Sequence, residues 1–187
     1  MTILSFLTFV FIVIIVTTYT CTTSKTTRCI STFDNQEYSV LDTPEALQVA
    51  NTLAQLNKRT LLLIDHLKLR APTSPITITL DKKYSYKILS EAPVQKGMTT
   101  YTINKKFIKM CIKSQKQTSI YDINTLMYVL LHELAHMANT NTGHGKEFLD
   151  IFKFLTLQAI QAGVYTPDNY RLEPREYCEI QLNSYIA

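Results

Sequence analysis

The stretch Leu130-Leu131-His132-Glu133-Leu134-Ala135-His136, with His144-Gly145-Lys146-Glu147-Phe148 shortly after it, decides how the rest of this chain is read. Helical residues four apart lie on one face, a turn apart, so the imidazoles of His132 and His136 can grip one metal ion. Glu133, beside the first histidine, is placed to hold a water on that metal. Three fixed letters at this spacing arise by chance in roughly four of a thousand chains of this composition, which makes the motif specific. The chain has only four histidines, and three of them are His132, His136 and His144.

Working outward, Asp122 caps the motif helix, and Leu126, Met127, Leu130, Leu131, Leu134 and Ala138 form its apolar side. The polar run Asn139-Thr140-Asn141-Thr142-Gly143 must end it. His144-Gly145 then leads into another helix, with Phe148, Ile151, Phe152, Leu155 and Ala159 facing inward and Gly163 closing it. Upstream, Thr43-Pro44-Glu45 reads as the start of a long amphipathic helix: Thr as cap, Pro at the first position, Glu at the positive end of the dipole. Ala46, Val49, Leu53, Leu56, Thr60, Leu63 and Leu67 continue it until Pro72. Residues 76–80, 84–89, 99–103 and 107–112 read as short strands, with a last one at 177–182. The expected class is α+β: long helix, small mostly antiparallel sheet, motif helix, following helix.

A catalytic zinc takes three protein ligands and keeps one position for water. His144 is the expected third ligand, because the short turn carries it back over the motif helix. Glu147 is the nearest substitute, but its side chain is expected to point elsewhere on its helix. Met137-Ala138-Asn139 lacks the glycine of metzincins, and Thr142 stands where their third histidine would be, so that subclass is excluded. Zinc would acidify a water and polarise a peptide carbonyl, with Glu133 as general base. A tail tyrosine such as Tyr165 or Tyr170 is a candidate second donor to the oxyanion. His66, without ligand spacing, reads as structural.

At 187 residues, 46% hydrophobic and 18% charged, the chain suits one globular domain plus an appendage. Residues 1–20 read as a transmembrane anchor: the apolar run 3–16 is broken only by Ser5 and Thr8. No Lys or Arg precedes it and no small-x-small cleavage pattern follows, which argues against a cleaved signal. Residues 21–42, rich in Thr, Ser and Asp, read as a linker, and 43–187 as the globular domain. Lys25 and Arg28 after the apolar run favour a cytoplasmic domain, as does the lack of any Asn-x-Ser/Thr sequon. Cys21, Cys29, Cys111 and Cys178 form no Cys-x-x-Cys pair and indicate no disulfide framework, which leans the same way. Nine lysines between Lys82 and Lys116 face one acid, Glu91, so that stretch nets +8 and the remainder −4. The bland reading is a solvated face; the sharper one is a surface for nucleic acid or anionic lipid.

The motif with His144 and Phe148 resembles the minimal zincins of the WLM and SprT-like kind. There the helical pair is followed by a third histidine and, four residues on, by an aromatic that begins the next helix. Tyr121-Asp122-Ile123-Asn124-Thr125-Leu126-Met127 before the motif, and Tyr165-Thr166-Pro167 and Tyr177-Cys178 after it, look like the small membrane-anchored metallopeptidase-like proteins of large DNA viruses. The resemblance spans residues 107–182, with a longer spacer to His144 than typical WLM members have. It implies a zincin-like fold, zinc on His132, His136 and His144, catalytic Glu133, and a sheet edge that takes substrate as an added strand. The reading is a single-pass membrane-anchored zinc metallopeptidase acting on a peptide or protein, its catalytic domain cytoplasmic or virion-interior. Its rivals are a non-catalytic membrane or virion scaffold that keeps the zinc site, and a DNA-associated protease acting on DNA–protein crosslinks through the Lys-rich stretch. Oligomeric state is not encoded in any pattern read here.

Overall fold

Helix α3 (Ile123–Ala138) carries the histidine motif and is buried on most of its circumference. Leu126, Met127, Leu130, Leu131, Leu134, Ala135 and Met137 are all inaccessible to solvent. A helix this apolar all round belongs in the middle of a domain. Asp122 caps it as expected, its carboxylate accepting from the backbone N–H groups of Asn124 and Thr125 at 3.1 and 2.9 Å. The computed structural model describes residues 25–93, 99–114 and 119–184. Around α3 pack α1 (Ala46–Arg70), α2 (Pro75–Lys83), α4 (Lys146–Gln161) and strand β4 (Tyr101–Ile103).

The class is α+β. The main sheet has β1 (Thr26–Ile30), β2 (Glu37–Leu41), β3 (Leu89–Glu91), β5 (Phe107–Met110) and β4 in the order β1-β2-β3-β5-β4. It is mixed, not mostly antiparallel: β1–β2 and β4–β5 are antiparallel, while β2–β3 and β3–β5 run parallel. The physical reason is the connection. The chain passes through α1 and α2 between β2 and β3, and such a crossover returns a strand parallel to its start. Helix α1 covers β1, β2 and β3 on one face, and β4 is left as an edge strand beside α3.

Four further expectations are corrected. Residues 21–42 are not a linker throughout, since 26–41 form a hairpin whose Tyr38, Val40 and Leu41 enter the core. Residues 76–80 are helical, not a strand. Pro75 takes the first helical position, and the buried pair Thr77 and Leu80 is spaced by three, leaving Ile78 55% exposed. Thr43 does not cap α1, which begins three residues later. Its hydroxyl instead accepts from Lys113 Nζ at 3.2 Å, and Glu45 pairs with the same ammonium at 3.0 Å. The cysteines are not all reduced: Cys111 and Cys178 form a disulfide, and Cys29 is the free cysteine among the described residues.

That bridge ties the end of β5 to a second hairpin, β6 (Arg175–Tyr177) and β7 (Ile180–Leu182). Its two-residue turn holds Cys178 and Glu179 at φ 48° and 68°, the left-handed pair that matches strand twist. Neither is the usual Asn or Gly; the disulfide and a bond from the Glu179 N–H to Glu176 Oε1 (2.8 Å) hold them there. The expected anchor, residues 1–20, lies outside the described residues. None of the described helices is long and apolar enough to cross a membrane.

If 26–41 is part of the core, Tyr38→Ala will destabilise the protein by about 3–5 kcal/mol, the usual range for deleting a buried aromatic ring. Chemical denaturation of the full chain measures this. A change under about 0.5 kcal/mol would restore the linker reading.

Candidate metal centre

His132 and His136 leave α3 one turn apart, and His144 arrives from the loop between α3 and α4. Their Nε2 atoms converge: His132–His136 3.2 Å, His136–His144 3.1 Å and His132–His144 3.1 Å. Tetrahedral zinc with bonds of about 2.0–2.1 Å sets its nitrogens roughly 3.3–3.4 Å apart, so the triangle fits that ion within a few tenths of an ångström. Hydrogen bonding alone does not account for it. Each Nε2 is either a donor or an acceptor, so three in mutual contact always leave a like pair facing each other. A cation at the centre removes the conflict, and these three form a metal-competent cluster among the described residues. Burial first, then the charges of His136 and His144, pushes the His132 imidazole down to about 3. Burial, His144 and Lys105 lower His136 as well. Both are thus held neutral, the form that ligates metal.

Glu133 is 4% exposed and points to the same cleft. Burial pushes its carboxyl up, partly offset by a bond from the Thr102 hydroxyl to Oε2 at 2.5 Å. Thr102 lies on edge strand β4, so the sheet orients the acid that the helix supplies. Beneath the metal position sits Phe148, 1% exposed, its ring centre 4.4–4.8 Å from those of all three histidines. An apolar floor excludes water from that side and locks the imidazole planes.

The loop to His144 is exposed from Thr140 onward, yet it is tied down. Lys105 Nζ donates to the carbonyls of Asn139, Thr140 and Asn141 at 2.6, 2.9 and 3.0 Å. Lys83 Nζ donates to Met137 O at 3.2 Å. The carbonyls of Met137 and Asn139 are unpaired ones at the end of α3, where a cation also suits the dipole, and those of Thr140 and Asn141 belong to the loop beyond it. Asn104 and Lys105 both have positive φ (50° and 54°), a conformation uncommon for residues with a Cβ, and it turns Lys105 back over the loop. Glu147, the substitute ligand, is committed to Thr140 Oγ1 (2.8 Å) and to Asn141 Nδ2.

The expected site residues are placed as follows. The structure brings His132, His136, His144 and Glu133 together. It does not bring Tyr165 or Tyr170: both are buried beside Tyr128, and neither lines the cleft. Tyr101 and Lys105 line it instead. His66 contacts Gln158 Oε1 at 3.2 Å and is not part of the cluster. Among the described residues the lysines of the basic stretch point to different surroundings. Lys83 and Lys105 bind carbonyls, Lys113 pairs with Glu45, and Lys87 and Lys109 lie with Arg28 and Glu37 on the open sheet face. Thr102, Lys105 and Phe148 were not singled out from sequence as site residues. The positions of Thr102 and Lys105 beside the site depend on the packing of the β4–β5 hairpin against α3, which no local pattern announces.

Across 167 residues, 87% of this chain and 85% of the relative, the sequence is 32% identical to "Uncharacterized protein R325" of Acanthamoeba polyphaga mimivirus. The chain belongs to the family of that viral protein. Two further relatives are viral. "Uncharacterized protein 136R" of Invertebrate iridescent virus 6 is 40% identical over 93 residues, 49% of this chain and 51% of the relative. "Uncharacterized protein 042R" of Invertebrate iridescent virus 3 is 35% identical over 95 residues, 51% of this chain and 60% of the relative. No protein-family model and no solved structure matches.

The full chain is expected to hold about one zinc per molecule by elemental analysis, and His144→Ala to lose it. Lys105→Met, which touches no ligand, should weaken zinc roughly 10- to 100-fold by releasing the loop. Tighter zinc in that variant would mean that the ammonium's repulsion of the ion outweighs its hold on the loop.

Proposed function

We propose that this protein is a zinc-dependent peptidase. The observation that carries the reading is the convergence of three histidine Nε2 atoms on one point, with a buried carboxylate, Glu133, opening on the same cleft. A zinc ion bound there supplies an acidified water and a Lewis acid for a carbonyl. Glu133 accepts the water's proton and returns it to the leaving nitrogen. A carboxyl raised by burial suits both transfers near neutral pH. The Thr102 hydroxyl keeps the carboxylate aimed at the metal side. Among the described residues β4 pairs only with β5, and an extended peptide pairing with its other side would bring successive carbonyls past the site.

The motif and the order motif helix, loop histidine, aromatic-led helix are similar to WLM and SprT-like zincins, which supports the reading. The relatives place the family in large DNA viruses, where a peptidase tethered by an apolar segment at residues 1–20 would act on proteins at the same membrane. Three of the seven described lysines of the basic stretch (Lys83, Lys105 and Lys113) are committed to internal contacts, so the DNA-directed alternative is not adopted.

Glu133→Gln should lower peptide cleavage by about 10²- to 10⁴-fold while zinc content and fold stay at wild-type levels. Turnover of a peptide pool by the zinc-loaded full chain, with a chelator control, measures this. Equal turnover in wild type and variant would remove Glu133 from the chemistry.

A further inference from the structure

Beside the metal cleft lies a second recess of about 120 Å³, lined by Tyr128, Val129, Tyr177, Ile180 and Leu182. The two spaces share Thr99, Thr100, His132 and Glu133, so the recess opens directly onto the proposed reaction centre. One wall is α3, one turn before His132; the other is the tail hairpin β6–β7.

That hairpin is firmly seated. The Cys111–Cys178 bridge anchors its turn to the end of β5. Tyr177 donates to Cys111 O at 2.8 Å, the Cys111 N–H donates to Thr100 Oγ1 at 2.9 Å, and the Thr100 and Tyr177 hydroxyls bond each other, closing a ring. The Cys178 N–H donates to Tyr121 Oη at 2.8 Å, and the hydroxyls of Tyr128 and Ser184 meet at 2.9 Å at the far end. Five contacts of this kind and a covalent bridge give a pocket that exists before any ligand enters. Its walls present apolar side chains, while the peptide polar groups have β4 to pair with.

We infer that this recess is the specificity pocket of the enzyme, receiving one aliphatic side chain of the substrate next to the scissile bond, with Leu182 and Ile180 setting its depth. The inference rests on the peptidase reading. Size selects the occupant: benzene fills an apolar cavity of about 150 Å³, so one of 120 Å³ suits a branched aliphatic group rather than an aromatic ring. Geometry selects the position. Along an extended peptide added to β4, side chains alternate, and those on the α3 side point to the recess while the chain passes His132 and Glu133. Without the hairpin this space would be open surface beside α3, so the disulfide-held tail converts a general cleft into a selective one.

The test uses the zinc-loaded full chain with a peptide library randomised on both sides of the bond, cleavage sites being read by mass spectrometry. Leu, Ile, Val or Met should be preferred at one flanking position over Trp and Gly, by roughly 10- to 200-fold per pocket-filling group. Leu182→Ala should move the preference toward Phe, and Leu182→Phe toward Ala, with zinc content unchanged in both. No side-chain preference, or a preference unmoved by both variants, overturns the inference. Should the wild type cleave nothing, binding decides. Peptidyl hydroxamates carrying an isobutyl or a methyl group are titrated against the zinc-loaded protein. At least tenfold tighter isobutyl binding, erased by Leu182→Phe, upholds the pocket while the peptidase reading falls; equal affinities overturn the pocket as well.

Discussion

A helix that carries two candidate metal ligands has to be immobile, and here immobility comes from burying α3 on every side except the one that presents His132 and His136. Burial raises a second demand. The last carbonyls of a helix lack partners within it, and deep in a protein they cannot turn to water. Lys83 answers for Met137 and Lys105 for Asn139, and Lys105 goes on to take the carbonyls of Thr140 and Asn141 in the exposed loop that follows. The same three bonds fix the loop that delivers His144. One requirement, satisfying the end of a buried helix, thereby positions the third ligand.

The other elements are arranged around that helix in complementary roles. Strand β4 contributes Thr102 to orient Glu133, and helix α4 contributes Phe148 as a dry floor under three imidazoles. Glu147, which by sequence distance alone competes with His144, is held by Thr140 and Asn141 and so stiffens the loop instead of ligating. The tail hairpin contributes nothing to the metal triangle. Its place is beside it, where a disulfide and a ring of hydroxyl bonds make a wall. The residues that could hold an ion, those that orient Glu133 and those that shape the cleft come from separate parts of the chain.

Membership in a family of large-DNA-virus proteins does not by itself assign an activity, because function resides in a site and not in kinship or fold. What points to chemistry here is a set of three nitrogens whose mutual distances suit a cation and conflict as hydrogen bonds. The basic stretch makes the converse point. Read along the chain it is a block of like charge, yet Lys105, Lys83, Lys113, Lys87 and Lys109 go to a loop, a helix end, an ion pair and a sheet face.

Local rules by themselves determined the motif helix with its Asp122 cap, helix α4 with its inward Phe148, the long α1, and the histidines that would share an ion. Helical spacing and capping act within a few residues, and these signals are strong there. Residues 76–80 misled because alternating Ile and Thr imitates a strand, while Pro75 and burial of Thr77 and Leu80 impose a helix. The hairpin at 26–41 was hidden because β1 exposes one side and its turn is polar, so its apolar content looks like a linker's. Parallel pairing, the Cys111–Cys178 bridge, and the placing of Thr102 and Lys105 belong to tertiary structure alone. Each joins residues distant in sequence, and a contact closed by the folding of everything between its partners leaves no periodic trace in either segment.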